Sequence, residues 1–190
     1  MSSSNAPFGL RPAFHPSGLD RAQALANGIA SGYSTDILKG QPVKLNSSGN
    51  IVVAAAGDSF QGAFAGVEWT DTTGRRRVSN YWPASTAYQA GSCVAYFYND
   101  PLIVYEIQAD GSIAQSAIGD EADLSNTTAG STVTGLSQAT LSSTLAGAGN
   151  SAQMRIVDIA PYPDNAWGDA YTIVRVTINE AQFQASVNAI

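Results

Sequence analysis

The stretch that decides the fold is DILKGQPVKLNSSGNIVVAAAGDSFQGAFAGVEW, residues 36–69 of the 190-residue chain. Two short apolar segments within it, Pro42–Leu45 and Ile51–Ala55, flank a polar turn rich in Asn, Ser and Gly. This arrangement is typical of a β-hairpin. Gly62 and Gly66 interrupt the apolar strand pattern that follows, which predicts bulges or a close approach of another backbone. The stretch therefore predicts a small β-scaffold.

Strand patterns separated by turn residues continue through the rest of the chain, which predicts an all-β fold, either a compact barrel or a sandwich. The predicted strands beyond the opening stretch are Arg75–Trp82, Ser92–Tyr98, Leu102–Gln108, Met154–Ile159 and Tyr171–Ile178. The two strands joined by Asn99 and Asp100 form the clearest predicted hairpin. Alternation in its second strand places Tyr105 on one face and Glu106 and Gln108 on the other.

The first part of the chain, residues 1–35, is predicted to be an arm outside a β domain that spans residues 36–178. Pro7, Pro12 and Pro16 forbid a helix near the start and disfavour a central strand. Nearby apolar side chains make a purely solvated tail implausible, so an extended arm is expected, docked on its own domain or on a neighbour. Asp20–Asn27 follows either as a short helix, with Asp20 as its N-cap, or as a loop.

Two later segments are predicted to lack regular strands. Residues 119–152 consist mainly of Gly, Ser, Thr, Ala and Asn, which predicts a long surface excursion that becomes ordered on assembly. The C-terminal tail, residues 179–190, has Phe183, Val187 and Ile190 at spacings that suit a short helix. A second extended arm is the alternative for this tail.

Charged residues make up 13% of the chain, about half of the roughly 25% usual in globular proteins. The net charge of −6 argues against non-specific nucleic-acid binding. The only dense basic run is Arg75, Arg76 and Arg77. It is interpreted either as a solvated strand end or as an electrostatic docking patch for an acidic protein surface.

Motifs for catalysis and metal binding are missing from the sequence. The chain has one histidine and one cysteine, whereas zinc and related metals need several such ligands. His15 is interpreted as a surface or packing residue, and Cys93 as a small buried hydrophobic residue. There is no P-loop, G-x-G-x-x-G or G-x-S-x-G motif. We therefore expect a soluble protein without enzymatic activity or a cofactor, and no apolar segment reaches the about 18 residues of a membrane span.

Aromatic residues near predicted strand ends leave two interpretations open. Trp69, Trp82 and Trp167 either cap the open ends of a barrel or display their rings to sugars, as carbohydrate-binding β-domains do. The second interpretation makes a glycan-binding module a competing hypothesis.

The segment Asn5–Pro12, NAPFGLRP, resembles the opening of a family of tailed-bacteriophage capsid decoration, or cement, proteins. The similarity spans most of the chain. It continues through Ile37–Val43, Gly62–Val67, Asp100–Gln108, Ile118–Leu124, Gly130–Ser137 and Ile173–Arg175. Residues 36–67 are also similar to the β-tulip design of trimeric head-stabilising proteins, and a jelly-roll-like arrangement is the alternative.

The resemblance implies a structural virion protein, made in the bacterial host cytoplasm, that binds the outer capsid surface and cements adjacent major capsid protein subunits. It implies self-association as a homotrimer, with a homodimer as the alternative, and no nucleic-acid or membrane partner. The arm residues expected at the capsid interface are Asn5, Pro7, Phe8, Leu10, Arg11, Pro12 and Phe14. The competing hypothesis is a glycan-binding β-module of a phage tail fibre or another surface appendage.

Overall fold

A computed structural model of the chain describes residues 2–18 and 22–184, which form an all-β fold of packed antiparallel sheets. The strands are β1 Arg11–Phe14, β2 Gln23–Ala26, β3 Pro42–Leu45, β4 Ile51–Val53, β5 Gly62–Thr70, β6 Arg76–Ser79, β7 Val94–Tyr98, β8 Val104–Gln108, β9 Glu121–Ser125, β10 Gly130–Ser131, β11 Leu136–Ser137, β12 Thr140–Leu145, β13 Met154–Ile159 and β14 Ile173–Ile178. A three-residue 3₁₀ turn, Gln115–Ala117, follows β8. The all-β prediction is confirmed, and of its two forms the structure is a sandwich rather than a closed barrel.

Two large sheets and a small hairpin make up the sandwich. Sheet A has the strand order β1-β8-β14-β13-β9-β12, and sheet B has the order β2-β7-β5-β3-β4, with β6 paired beside β5. The hairpin β10–β11 stands apart from both sheets. The buried apolar side chains form two clusters: the first consists mainly of sheet A residues, with Ala63 of β5 added from sheet B, and the second lies on sheet B. The two clusters are therefore separate cores within one molecule.

The opening stretch folds as its sequence predicts. Strand β3 pairs antiparallel with β4, with Val43 opposite Val53. A Cβ atom added to Gly62 would lie 1.6 Å from the carbonyl oxygen of Tyr98, so only glycine allows this backbone approach. At Gly66 the pairing of β5 with β7 shifts register. Both glycine predictions, a close approach and a bulge, are confirmed.

The predicted hairpin between β7 and β8 is wrong, because the two strands belong to different sheets. The chain leaves sheet B after Tyr98 and enters sheet A at Val104. A two-residue hairpin turn of type I′ needs positive φ at both central residues, and neither Asn99 nor Asp100 has one. The connection is instead a crossover, in which the Asp100 carboxylate accepts a hydrogen bond from the Leu102 N–H at 2.9 Å.

The prediction of a loop excursion over residues 119–152 is wrong for the two longest strands within it. Strands β9 and β12 pair with each other at one side of sheet A. Ala122, Leu124 and Leu141 from these strands are buried in its core. A few well-spaced apolar residues are enough here, because only one face of each strand has to be buried. Composition alone therefore concealed these two strands and the short hairpin β10–β11 between them.

The described part of the segment before the opening stretch contains two strands, and because Gln23–Ala26 is one of them, the alternative of a short helix over Asp20–Asn27 is wrong. Strand β2 pairs with β7, and β1 pairs with β8. Asp20, the proposed N-cap, lies outside the described residues.

The described part of the C-terminal tail contacts strand β3. The Gln182 side chain accepts a hydrogen bond from the Leu45 N–H at 2.8 Å and donates one to the Leu45 carbonyl at 2.9 Å. Val187 and Ile190 lie outside the described residues.

The aromatic residues predicted at strand ends are mainly core residues. Trp82 is fully buried and Trp69 nearly so, within the core of sheet B. Their rings meet edge to face at 5.6 Å, and Tyr88 meets Trp82 in the same way at 6.0 Å. Cys93 is buried in this core as predicted, and burial raises the pKa of its thiol.

Candidate functional site

The N-terminal strap, residues 2–14, is bound to its own domain along sheet A. The Tyr171 N–H donates to the carbonyl of Ser2 at 2.8 Å. The Gln108 side chain accepts a hydrogen bond from the Ala6 N–H at 2.9 Å and donates one to the carbonyl of Ser4 at 3.0 Å. The strap thereby covers the polar face of β8, which explains why Glu106 and Gln108 are buried rather than exposed.

A charged cluster fixes the strap where it becomes β1. The Glu106 carboxylate accepts hydrogen bonds from the Arg11 guanidinium at 2.7 Å and from the Tyr162 hydroxyl at 2.5 Å. The Arg175 Nε lies 3.5 Å from the second oxygen of the same carboxylate. The Arg11 guanidinium also lies over the Phe8 ring, 4.5 Å from its centroid. The cluster thus holds two guanidinium groups for one carboxylate.

These contacts decide the protonation of Glu106. Burial by itself would raise the pKa of this carboxyl, but the hydrogen bonds from Tyr162 and Arg11 and the nearby positive charges outweigh burial. The pKa of Glu106 is consequently below its ordinary value of 4.5. The same carboxylate, together with burial, raises the pKa of the Tyr162 hydroxyl. The cluster keeps its charged form at neutral pH.

Beside this cluster, four segments distant in sequence meet at a glycine-rich junction, which we define as residues 8–12, 38–41, 130–137 and Phe64. The Leu10 N–H donates to the carbonyl of Gly40 at 2.8 Å, and the Gly40 N–H donates to that of Phe64 at 2.7 Å. A Cβ atom on Gly9 would lie 2.6 Å from the Gly40 carbonyl oxygen. Residues from four of the segments that carry the family resemblance therefore contact one another here.

A cleft of about 410 Å³ opens at the junction. It is lined by Phe8, Leu10, Arg11, Pro12, Lys39, Gly40, Phe64, Tyr98 and Leu136. Most of this wall is apolar, two of the side chains are cationic, and none is acidic. Lys39 is exposed and forms no ion pair within the described part of the chain. The cleft is therefore an apolar depression with positive charge on its walls.

The predicted interface residues of the strap differ in how accessible they are. Asn5 and Arg11 are exposed, Pro7, Phe8 and Pro12 are half-buried, and Leu10 is buried. Phe14 is 43% exposed, and the Arg175 guanidinium lies over its ring at 5.4 Å. Sequence reasoning missed Lys39, Tyr98 and Leu136. One sequence signal was available for this site: several of the segments that carry the resemblance contain a glycine, and glycine is frequent where two backbones pack closely.

Arg76 and Arg77 of the basic run lie on β6, a strand exposed along most of its length, and Arg75 immediately precedes it. Arg76 pairs with Glu68 at 2.6 Å, and the Arg77 Nε pairs with Asp71 at 3.0 Å. The Arg76 hydrogen bond lowers the pKa of the Glu68 carboxyl. Arg75 is exposed and has no ion pair among the described contacts. Two of the three charges are thus balanced locally, which weakens the run as an electrostatic docking patch.

Of the two interpretations of His15, a surface or a packing residue, the structure favours packing, because its side chain is 8% exposed. Its Nδ1 accepts a hydrogen bond from the Ser17 N–H at 3.0 Å, and its Nε2 lies 3.1 Å from the Asp100 carboxylate. Within residues 2–18 and 22–184, no three His, Cys, Asp or Glu side chains come together as a candidate metal site. The same residues include no helix that is long and apolar enough to cross a membrane.

Comparison of the chain with protein-family models, with curated proteins and with solved structures finds no match in any of the three. The candidate site therefore rests on its own geometry and on the resemblance described above.

Proposed function

We propose that this protein is a structural virion protein that binds the outer surface of a tailed-phage capsid and cements adjacent major capsid protein subunits. The observation that carries the proposal is the glycine-rich junction, because segments that resemble cement proteins converge there around an accessible cleft. Gly9 and Gly40 let the backbones of the junction approach closely, so main-chain contacts form the walls of the cleft. A preformed surface loses little conformational entropy on binding, which favours affinity.

Exposed apolar side chains on several strands and loops add to the surface available for a shell. Val78 on β6 is 76% exposed, Val133 in the β10–β11 hairpin is 95% exposed, and Leu136 is 45% exposed. The Asn80 side chain donates to the Thr134 carbonyl at 2.9 Å and so holds this hairpin beside the end of β6. Exposed apolar groups held in fixed positions favour an interaction surface.

Cementing follows from linkage and from the number of copies. A protein that binds the assembled shell and not the free subunits stabilises the shell by the free energy of binding. Many copies would bind one lattice, and association into trimers would give each complex several contacts with the shell. Together these contacts would bind much more strongly than any single weak contact. Because the chain has few charged residues, few charged side chains would lose their hydration on docking.

The experiment is to mix the purified protein with expanded, undecorated heads made from the major capsid protein of the same genome, and to image them by cryo-electron microscopy. We expect regular extra density on the outer surface at local three-fold or two-fold axes. Bare shells, with the protein left in solution, would refute the proposal. A glycan array run in parallel tests the competing module, for which the burial of Trp69 and Trp82 removes the principal argument.

A further inference from the structure

We infer that the junction cleft receives an extended segment of the major capsid protein in which an apolar side chain lies next to a carboxylate. This inference rests on the proposed function and names the contact by which it would operate. The occupant follows from the shape, the apolar wall and the charge of the cleft.

The size and walls of the cleft define the apolar part of the occupant. Its volume of about 410 Å³ is within the range of about 300–1,000 Å³ that is usual for ligand pockets. Phe8 and Pro12, both half-buried, and the exposed Leu136 form the apolar wall that solvent reaches, whereas Phe64 and Leu10 are buried behind it. An apolar side chain entering here would remove water from both surfaces, which is favourable in proportion to the area covered.

Charge defines the polar part of the occupant. Lys39 and Arg11 line the cleft, and no acidic side chain does. Arg11 is held by Glu106 and by the Phe8 ring, so its guanidinium is already oriented. Lys39 has no ion pair within the described residues and can pair with an incoming carboxylate. Because Glu106 already balances part of the Arg11 charge, Lys39 supplies the cation that remains available, and in a chain with a net charge of −6 it favours an acidic segment here.

Backbone bonds already in use indicate that the segment is recognised through side chains. The Lys39 N–H donates to the Gly135 carbonyl at 2.9 Å, and the Lys39 carbonyl accepts from the Ser137 N–H at 2.9 Å. The backbone of Lys39 is therefore not available to pair with an added β-strand. The side chains of Lys39 and Leu136 can consequently be changed while the backbone contacts of the junction remain.

The test compares variants in binding to undecorated heads by co-sedimentation, with the wild-type protein as reference. Leu136→Asp adds a charge to the apolar wall, and Lys39→Glu reverses the free cation. We expect each change to weaken binding about tenfold or more, as is usual for central interface residues. Lys39→Arg keeps the charge and should bind like wild type. Val157→Asp is the matched control for Leu136→Asp, because Val157 on sheet A is 42% exposed, close to the 45% of Leu136.

A second measurement identifies the segment itself. Overlapping synthetic peptides that cover the major capsid protein are titrated into the labelled full-length protein, and amide NMR shifts are recorded. Shifts at Lys39, Gly40 and Leu136 with an acidic, apolar peptide, and their loss in Lys39→Glu, support the inference. Far-ultraviolet circular dichroism and thermal unfolding of each variant confirm that the fold is retained.

The outcomes separate the inference from the function on which it rests. If wild type decorates heads and both cleft variants decorate them equally well, the cleft is not the contact and the inference is overturned, while cementing stands. If Val157→Asp weakens binding as much as Leu136→Asp, the contact is not confined to the cleft and the inference is also overturned. If wild type itself fails to bind heads, the proposed function is overturned.

Discussion

Gly62 is the residue at which adding a single methyl group is expected to lower the stability of the fold most. Its φ is 155°, and an added Cβ would overlap the backbone carbonyl of Tyr98. The overlap involves main chain on both sides, so no side chain can move to relieve it. Either β5 or the end of β7 would have to shift out of register.

We predict that Gly62→Ala lowers the free energy of unfolding by more than about 3 kcal/mol, the upper end of ordinary single-site backbone strain. Gly49→Ala is the matched control, because Gly49 has a φ of 75° in the β3–β4 turn with open space around its Cα. Its cost should be that of left-handed backbone alone, about 1–2 kcal/mol. Urea denaturation measures both, and equal losses would contradict the steric explanation.

Glu106 is the residue through which pH should act on stability. Its pKa is lowered in the folded state, so its contribution is complete above the ordinary value of 4.5. As the pH falls below that value, the unfolded chain takes up a proton first, and the contribution declines until the folded carboxyl is protonated too. Acid should therefore loosen the strap before it affects the apolar cores.

We predict that Glu106→Gln lowers the free energy of unfolding at neutral pH by about 1–3 kcal/mol, because a buried charged hydrogen bond is lost. The variant should also depend less on pH between neutral and acid conditions than wild type. Glu68→Gln, which removes a surface pair with Arg76, should have a smaller effect. Denaturation curves at several pH values test this, and a pH dependence of Glu106→Gln equal to that of wild type would contradict it.

Among elements, the N-terminal strap has the conformation that its sequence predicts, and the structure decides between its two docking alternatives. Proline density correctly predicts an extended conformation, and the apolar side chains correctly predict docking. The sequence left open whether the strap docks on its own domain or on a neighbour. Leu10 settles this within the described residues, because its side chain is 1% exposed in the core of sheet A.

We predict that Leu10→Ala lowers the free energy of unfolding by about 2–5 kcal/mol, the range for truncating a buried leucine. Phe14→Ala on the same strap should cost clearly less, since Phe14 is 43% exposed. Deleting residues 2–10 should destabilise the domain further, because the Gln108 side chain would lose its partners in the strap. Thermal unfolding distinguishes these cases, and an unchanged transition after deletion would mean that the strap is dispensable.

The hairpin of β3 and β4 and the pair β7 and β8 show which elements could be predicted. In the first, local turn chemistry and strand pattern agree, so the strands and their pairing follow from adjacent residues. In the second, both strands are correctly predicted but their partners are not. A turn of Asn99 and Asp100 without positive φ sends the chain across the sandwich, and only contacts distant in sequence decide where it goes.

At the scale of the molecule, the same limit applies to the candidate site. The strap residues could be singled out because they are adjacent in sequence and form a recognisable motif. Lys39, Tyr98 and Leu136 were missed, because glycines in the resemblance segments indicate close packing but only the completed fold brings these side chains to one cleft. The fold class depends on local patterns and was predictable. The site depends on the order of strands within the sheets, which such patterns do not determine.

The place of β14 in sheet A has a consequence for synthesis on the ribosome. This strand lies between β8 and β13, yet it is the last of the six to be translated. Until residue 178 has left the exit tunnel, the centre of sheet A is missing. β1 with β8 lies on one side and β13 with β9 and β12 on the other, and without β14 only a bridge between Ala109 and Leu141 connects them in the part of the chain that the structure describes. The apolar faces of these strands stay exposed until β14 is added, and nascent chains with exposed apolar surface are prone to aggregate. Sheet B contains no strand beyond residue 98, so it can fold before sheet A is complete. Its early folding would bury part of the apolar surface of the growing chain until β14 is translated.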